Sequence, residues 1–211
     1  MRRSRRENRS VFDNICSWVA RMINRISRTG LVFFMCTLLM PPPDLHAESE
    51  VFQEYKIKAV FLFNLANFVS WPSEAFKGPD VPLEIGILGE DPFGGFLDRI
   101  VHGERVGGRQ IAVKRFSGIA DIRDCHVLFI GSSHKEPLSQ IFEVTRNSYV
   151  LTVGEVRGFA SLGGMVNLVR KKTRVHVEVN AERARDSGLG ISSKLLKLAR
   201  IVETEREEGK K

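Results

Sequence analysis

The sequence predicts an α/β fold, a three-layer sandwich around a mixed, mainly parallel sheet with a C-terminal β-hairpin plus helices. Three observations predict it. Apolar segments of strand length alternate with segments of helical spacing, the order expected of parallel βαβ units. Residues 127–130 read Val-Leu-Phe-Ile, apolar on both faces as in a sheet covered on two sides. Two short valine-rich runs, 165–169 and 174–179, flank Arg170-Lys171-Lys172-Thr173, and such a pair closes into an antiparallel hairpin.

The elements follow in order. Residues 51–71 carry apolar side chains at Tyr55, Ala59, Phe61, Leu62, Phe63, Leu65, Ala66, Phe68 and Val69, the wide apolar face of a buried helix. Trp71-Pro72 should end it, because the residue before proline is pushed away from helix. Residues 83–88 form a strand, and the turn 89–94 leads into a short helix over 93–101, with Pro92 in its first turn. Residues 110–116 alternate as a second strand. A turn or short helix at 121–124 precedes the strand 126–130. A helix over 136–146 and a buried strand over 149–153 follow. Beyond the hairpin, Asn180 caps a helix over 181–187 by accepting an orphan N–H, and Gly188 stops it. Ser192 or Ser193 opens a last helix that turns Leu195, Leu196, Leu198, Ala199 and Val202 to the core. Residues 203–211 form a charged tail.

The N-terminus has a different character. Residues 31–40 are ten mostly apolar residues, preceded by Arg25 and Arg28 and followed by Pro41-Pro42-Pro43 and Leu45-His46-Ala47. Basic, apolar and cleavage regions in that order make a secretory signal over residues 1–47, and a start at Met22 would give it the usual length. An apolar run of this length is about half of what crosses a membrane. The working domain is then 48–203, outside the cytoplasm.

Removing that segment changes the electrostatics. The chain carries 32 Lys and Arg against 25 Asp and Glu. Beyond residue 47 the counts are 24 and 22, a net of +2. No basic stripe with interleaved aromatics remains to follow a phosphate backbone, so nucleic acid is not an expected partner. Cys16 and Cys36 go with the signal and leave Cys125 alone, next to an apolar strand, as a buried thiol.

Catalytic and cofactor patterns are absent from the sequence. His102, His126, His134 and His176 are scattered without metal-ligand spacing. Ser132-Ser133-His134 lacks the Gly-x-Ser-x-Gly elbow, and the turn 89–94 lacks the dinucleotide fingerprint. That turn, with Asp91, nevertheless lies at the carboxyl end of a strand, where open α/β sheets bind ligands. Gly163-Gly164 permits a close backbone approach or a bulge. Asn167 stands in an otherwise apolar strand, where its amide must either hold the turn together or meet a ligand.

Five ordered blocks carry a resemblance: Lys56-x-Lys-Ala-x-Phe-Leu-Phe-Asn-x-x-x-Phe-Val-x-Trp-Pro72, Ile87-Leu-Gly-x-Asp-Pro-Phe-Gly94, Cys125-His-Val-Leu-Phe-Ile130, Gly163-Gly-Met-Val-Asn-Leu168 and Ile191-Ser-Ser-Lys-Leu-Leu-Lys-Leu-Ala199. Together they resemble the YfiR family across nearly all of 51–203. The resemblance implies an exported α/β protein, non-enzymatic and without cofactor or metal. It implies a homodimer that represses an inner-membrane diguanylate cyclase, or serves a sensor kinase, by binding its periplasmic part and so controls cyclic di-GMP and biofilm formation. A periplasmic small-molecule sensor is the other reading. The single Cys125 departs from the two cysteine pairs of the best-described member. Lys58, Asn64, Trp71, Asp91 and Asn167 are the candidate partner- or ligand-binding residues, although each type serves packing as readily as binding.

Overall fold

The structure, a computed structural model, describes residues 45–205 apart from 121, 135 and 173, with side chains from Glu50 onward. The secretion signal read at 1–47 lies outside the described residues but for its last three, and residues 206–211 of the tail lie outside them too.

Helix α1 spans Leu45–Phe68. It is followed by β1 (Val69–Ser70), β2 (Leu83–Leu88), α2 (Gly95–Val101), β3 (Arg105–Val106), β4 (Arg109–Phe116), β5 (Val127–Ile130), α3 (Leu138–Thr145), β6 (Leu151–Gly154), β7 (Val166–Lys171), β8 (Arg174–Val179), α4 (Ala181–Asp186), β9 (Gly190–Ile191), α5 (Ser193–Leu198) and β10 (Arg200–Ile201). Short 3₁₀ turns sit at Ser73–Ala75 and Ile122–Asp124.

Eight strands form one sheet in the order β10-β8-β7-β6-β5-β2-β4-β3. All neighbours are parallel except β7 with β8 and β3 with β4. The α/β class and the mainly parallel sheet agree with the sequence pattern. Strand periodicity divides the core in two. Ile85 and Ile87 of β2, Val127 and Phe129 of β5, and Val153 of β6 meet Ala59, Leu62, Leu65 and Ala66 of α1, each at most 1% exposed. On the reverse face Leu88, Leu128 and Ile130 meet Ile141 and Phe142 of α3 together with Phe159.

Several elements differ from the sequence expectation. Helix α1 stops at Phe68 rather than Trp71, because the chain extends to pair Val69 with Ile191 and Ser70 with Gly190. The Phe68 carbonyl then accepts from Ser192 N at 2.8 Å. Helix α2 starts at Gly95, so Pro92 lies outside it. Asp91 Oδ1 takes the N–H groups of Phe93 at 2.8 Å and Gly94 at 3.2 Å, an Asx turn in place of a first helical turn. Helix α5 ends at Leu198, which is 80% exposed, while Leu195 alone of its residues is fully buried. The residues behind α5 become β10, parallel to β8. Val202 N donates to Val179 O at 2.9 Å and Glu205 N to Ser161 O at 2.8 Å, so the described part of the tail is tied down.

Of the paired glycines, Gly163 takes a φ of +114° and Gly164 finds its reason in Phe159. A Cβ at Gly164 or at Gly154 would run into the Phe159 ring. The backbone therefore closes over an aromatic plug that also packs edge-on to Phe142, with ring centroids 5.3 Å apart.

Candidate functional site

The connection leaving β2 leads to β4 on one side, and the connection leaving β5 leads to β6 on the other. This break at the carboxyl ends of β2 and β5 is where open α/β sheets place their ligand crevice. The loops around it are held together by one buried carboxylate, Glu155, immediately behind β6. Its Oε1 accepts from Ser132 N at 2.9 Å and from Tyr55 OH at 3.3 Å. Its Oε2 accepts from Lys58 Nζ at 2.7 Å. Glu54, one turn before Lys58, closes a second ion pair at 2.5 Å. Glu90 N of the β2–α2 loop donates to Ser133 Oγ at 3.1 Å, which ties that loop to the same cluster.

Lys58 is only 4% exposed. Burial by itself would lower its pKa, but the hydrogen bonds that it donates to Glu155 and Glu54 outweigh that penalty and hold the pKa above its ordinary value. The ammonium is therefore permanently charged near neutral pH and unsuited to act as a general base. Tyr55 is likewise raised, first by burial and then by the Glu155 charge.

A cleft of about 860 Å³ opens beside this network, lined by Lys58, Glu155, Arg157, Ser161, Glu178 and Arg200 among others. Beneath it, Asn167 on β7 pairs in register with Glu178 on β8. Asn167 is fully buried. Its Nδ2 donates to Val156 O at 2.9 Å and to Glu178 Oε2 at 3.4 Å, while Oδ1 has no partner among the described residues. The amide nitrogen thus holds the β6–β7 connection.

The other candidates are spread over the molecule. Asp91 serves its own turn with Oδ1 and takes Arg115 Nε on Oδ2 at 2.8 Å. Arg115 also reaches Asp98 at 2.5 Å, and that hydrogen bond holds the Asp98 carboxyl below its ordinary range. Asn64 is half-buried on an apolar groove between α1, β8 and α5. Trp71 lies by the opposite, amino end of β5 and β6, where Nε1 donates to Tyr149 O at 3.0 Å and the ring stands edge-on to His126. The structure therefore brings Lys58 to the cleft and Asn167 beneath it, and leaves Asn64, Trp71 and Asp91 elsewhere. Glu155 and Glu178 escaped the sequence reading. A lysine on the buried face of a helix was the available signal, since such a charge requires a buried counter-ion.

Among the described residues no group of His, Cys, Asp and Glu is placed to hold a metal ion, and no helix is long and apolar enough to cross a membrane. The family model described as YfiR/HmsC-like matches residues 55–200, which takes in every strand of the sheet but the last residue of β10 and all of α1 that faces the core. The chain belongs to the YfiR/HmsC-like family. At the family level these are periplasmic, non-catalytic regulators associated with membrane signalling proteins of the diguanylate cyclase kind. No curated protein matches the chain. Among solved structures, the ABC domain in complex with L-Trp from Streptococcus pneumonia is 10% identical over 56% of this chain, with a TM-score of 0.39. The chain spans about half the length of that structure, 55%, and a likeness at this level carries no argument about ligand or mechanism.

Proposed function

We propose that this YfiR/HmsC-like protein is an exported, non-enzymatic regulator that binds the periplasmic part of an inner-membrane diguanylate cyclase, or of a similarly built sensor, and inhibits it. The observation that carries this reading is the family match over residues 55–200. The character of the central network supports it. Lys58 and Arg170 balance Glu54 and Glu155 in fixed ion pairs, an arrangement suited to a rigid recognition module. Deleting the gene is expected to raise cellular cyclic di-GMP, and the tagged protein is expected to retain a GGDEF-containing membrane protein in a pull-down. Unchanged cyclic di-GMP together with no membrane partner would overturn the proposal.

A small-molecule sensor is favoured by one specific observation, the polar cleft of about 860 Å³ beside Lys58 and Glu155. A ligand that binds only the folded state raises its melting temperature. Thermal-shift screening with periplasmic metabolites therefore tests this second reading, and a screen without any shift removes it.

A further inference from the structure

We infer that the partner docks as an extended, acidic, apolar-alternating segment that adds a strand to the open edge of β8. This deepens the regulatory reading given above and rests on it. Strand β10 covers β8 only at Glu178 and Val179, so residues 174–177 are a sheet edge without a neighbour among the described residues. The direction of the free groups follows from one hydrogen bond. Val202 N donates to Val179 O at 2.9 Å, which turns the backbone of Val179 outward, away from β7. Alternate residues of a strand in an antiparallel ladder point their backbone groups the same way. Val175 thus turns its N–H and C=O outward, and Val177 its N–H, as an open template for strand addition.

The surface beside this edge fits the added strand. A groove of about 540 Å³ runs along it, lined chiefly by Phe61, Leu65, Phe68, Val175, Val177 and Leu198. Leu198 is 80% exposed. One face of an entering strand can bury apolar side chains here while its backbone completes the ladder.

Charge selects the occupant. Lys171 and Arg200 share a single carboxylate, Glu178, each at 3.5 Å. Among the described residues, Lys172 and Arg174 meet no carboxylate within ion-pair distance. Glu50 and Glu54, also beside Val175, are taken up by Arg170, so the five cations Arg170, Lys171, Lys172, Arg174 and Arg200 still outnumber the three carboxylates and favour an acidic strand. A second copy of this chain paired two-fold about Val175 would offer each Arg174 only a His176, whereas an acidic strand offers it a carboxylate.

Val175→Pro is the direct test. Proline removes the outward N–H of an edge residue without cutting the ladder to β7. The probes are two short synthetic peptides, one alternating valine with glutamate and one alternating valine with lysine, titrated against the full chain by calorimetry. The acidic peptide should bind at least about tenfold more tightly than the basic one, and Val175→Pro should abolish its binding while melting cooperatively. Should Val175→Pro fail to fold, Arg174→Glu replaces it and is expected to weaken the acidic peptide by about tenfold. Equal affinity for the two peptides, or full binding to the variant, overturns the inference. Cyclic di-GMP in cells separates the two proposals. If Val175→Pro restores repression to a deletion strain in full, the edge is not the docking site although the regulator reading stands. If peptide binding follows the prediction while deletion leaves cyclic di-GMP unchanged, the edge binds a strand and the cyclase reading fails.

Discussion

Lys58 on α1 and Glu155 behind β6 meet at 2.7 Å across 97 residues of sequence, each side chain only 5% exposed. The pair joins the longest helix to the loops at the carboxyl edge of the sheet. Two opposed charges in a dry site roughly repay their own desolvation, whereas removing one leaves the other uncompensated.

Lys58→Met is therefore expected to cost about 3–5 kcal/mol of unfolding free energy, because buried Glu155 then loses its cation while Glu54 keeps only Arg170. Glu155→Gln should cost less, since the amide oxygen still accepts from Lys58 and Glu54 remains. The double variant Lys58→Met/Glu155→Leu should regain part of the loss. Urea denaturation of the four proteins checks this, and a double variant no more stable than Lys58→Met contradicts it.

Gly164 exists to admit Phe159. Gly164→Ala forces its Cβ into the ring, and overpacking of this kind costs about 1–3 kcal/mol. Adding Phe159→Leu should return part of that stability, although the same change in the wild type is destabilising. Such sign reversal in a double-mutant cycle identifies direct steric contact. Additive losses would place the strain elsewhere.

The strands of the inner sheet were legible because burial on both faces leaves an apolar run, as in Val127–Ile130. The two-residue strands β1, β3, β9 and β10 were not. A pair such as Arg200-Ile201 carries no periodicity of its own and becomes a strand only because β8 offers it a partner. The same cause explains Leu198. Its helical spacing with Leu195 pointed to the core, but the chain leaves the helix at Leu198 to reach β8. At the candidate site, Lys58 was visible as a charge on an apolar helix face. Glu155 was not, because the proximity of residues so far apart in sequence is fixed by strand order. Asp91 was visible as a residue of the crevice turn; that its two oxygens are spent on Phe93, Gly94 and Arg115 depends on where α2 begins.

His126 gives the protein an acid-sensitive spot. Nδ1 accepts from Glu84 N at 3.0 Å, a role open only to the unprotonated nitrogen. The ring is 5% exposed and stacks on Phe76 at 4.4 Å. Burial lowers its pKa below the ordinary 6.5, against the opposing charge of Glu84 and with the help of Arg109 and Lys114. The fold therefore binds the neutral form. This contribution is complete above pH 6.5 and is lost as the pH falls below that value toward the folded pKa. The urea midpoint should drop between pH 7 and pH 5.5, and His126→Gln, less stable overall, should lack that part of the drop. Parallel pH profiles for the two proteins refute the assignment.

Cys125 should be silent in the native protein. Burial, and secondarily the Glu84 charge, push its thiol up to about 12, and Sγ donates to Ile122 O at 3.1 Å. Only the thiolate reacts. Thiol reagents at pH 8 are expected to label Cys125 at the rate of unfolding and to label it fully in denaturant. Rapid labelling of the folded protein would show an exposed, reactive thiol.

Asn167 and Glu178 make the sharpest charge test in the sheet. The amide nitrogen lies 3.4 Å from Glu178 Oε2 and 2.9 Å from Val156 O. Asn167→Asp replaces that donor with a carboxylate in a fully buried position beside another. Burial and like charge both raise the pKa of the new acid in the fold. Its destabilisation is therefore greatest at neutral pH and fades as the pH falls toward the unfolded value of about 3.9. Asn167→Leu removes the same hydrogen bonds without adding charge, so its cost, about 1–3 kcal/mol, should depend little on pH over that range. At pH 7 the aspartate variant is expected to be the less stable of the two, and the gap should narrow by pH 4.5. If the two variants keep a constant difference from pH 7 to pH 4.5, the carboxylate of Glu178 does not face position 167.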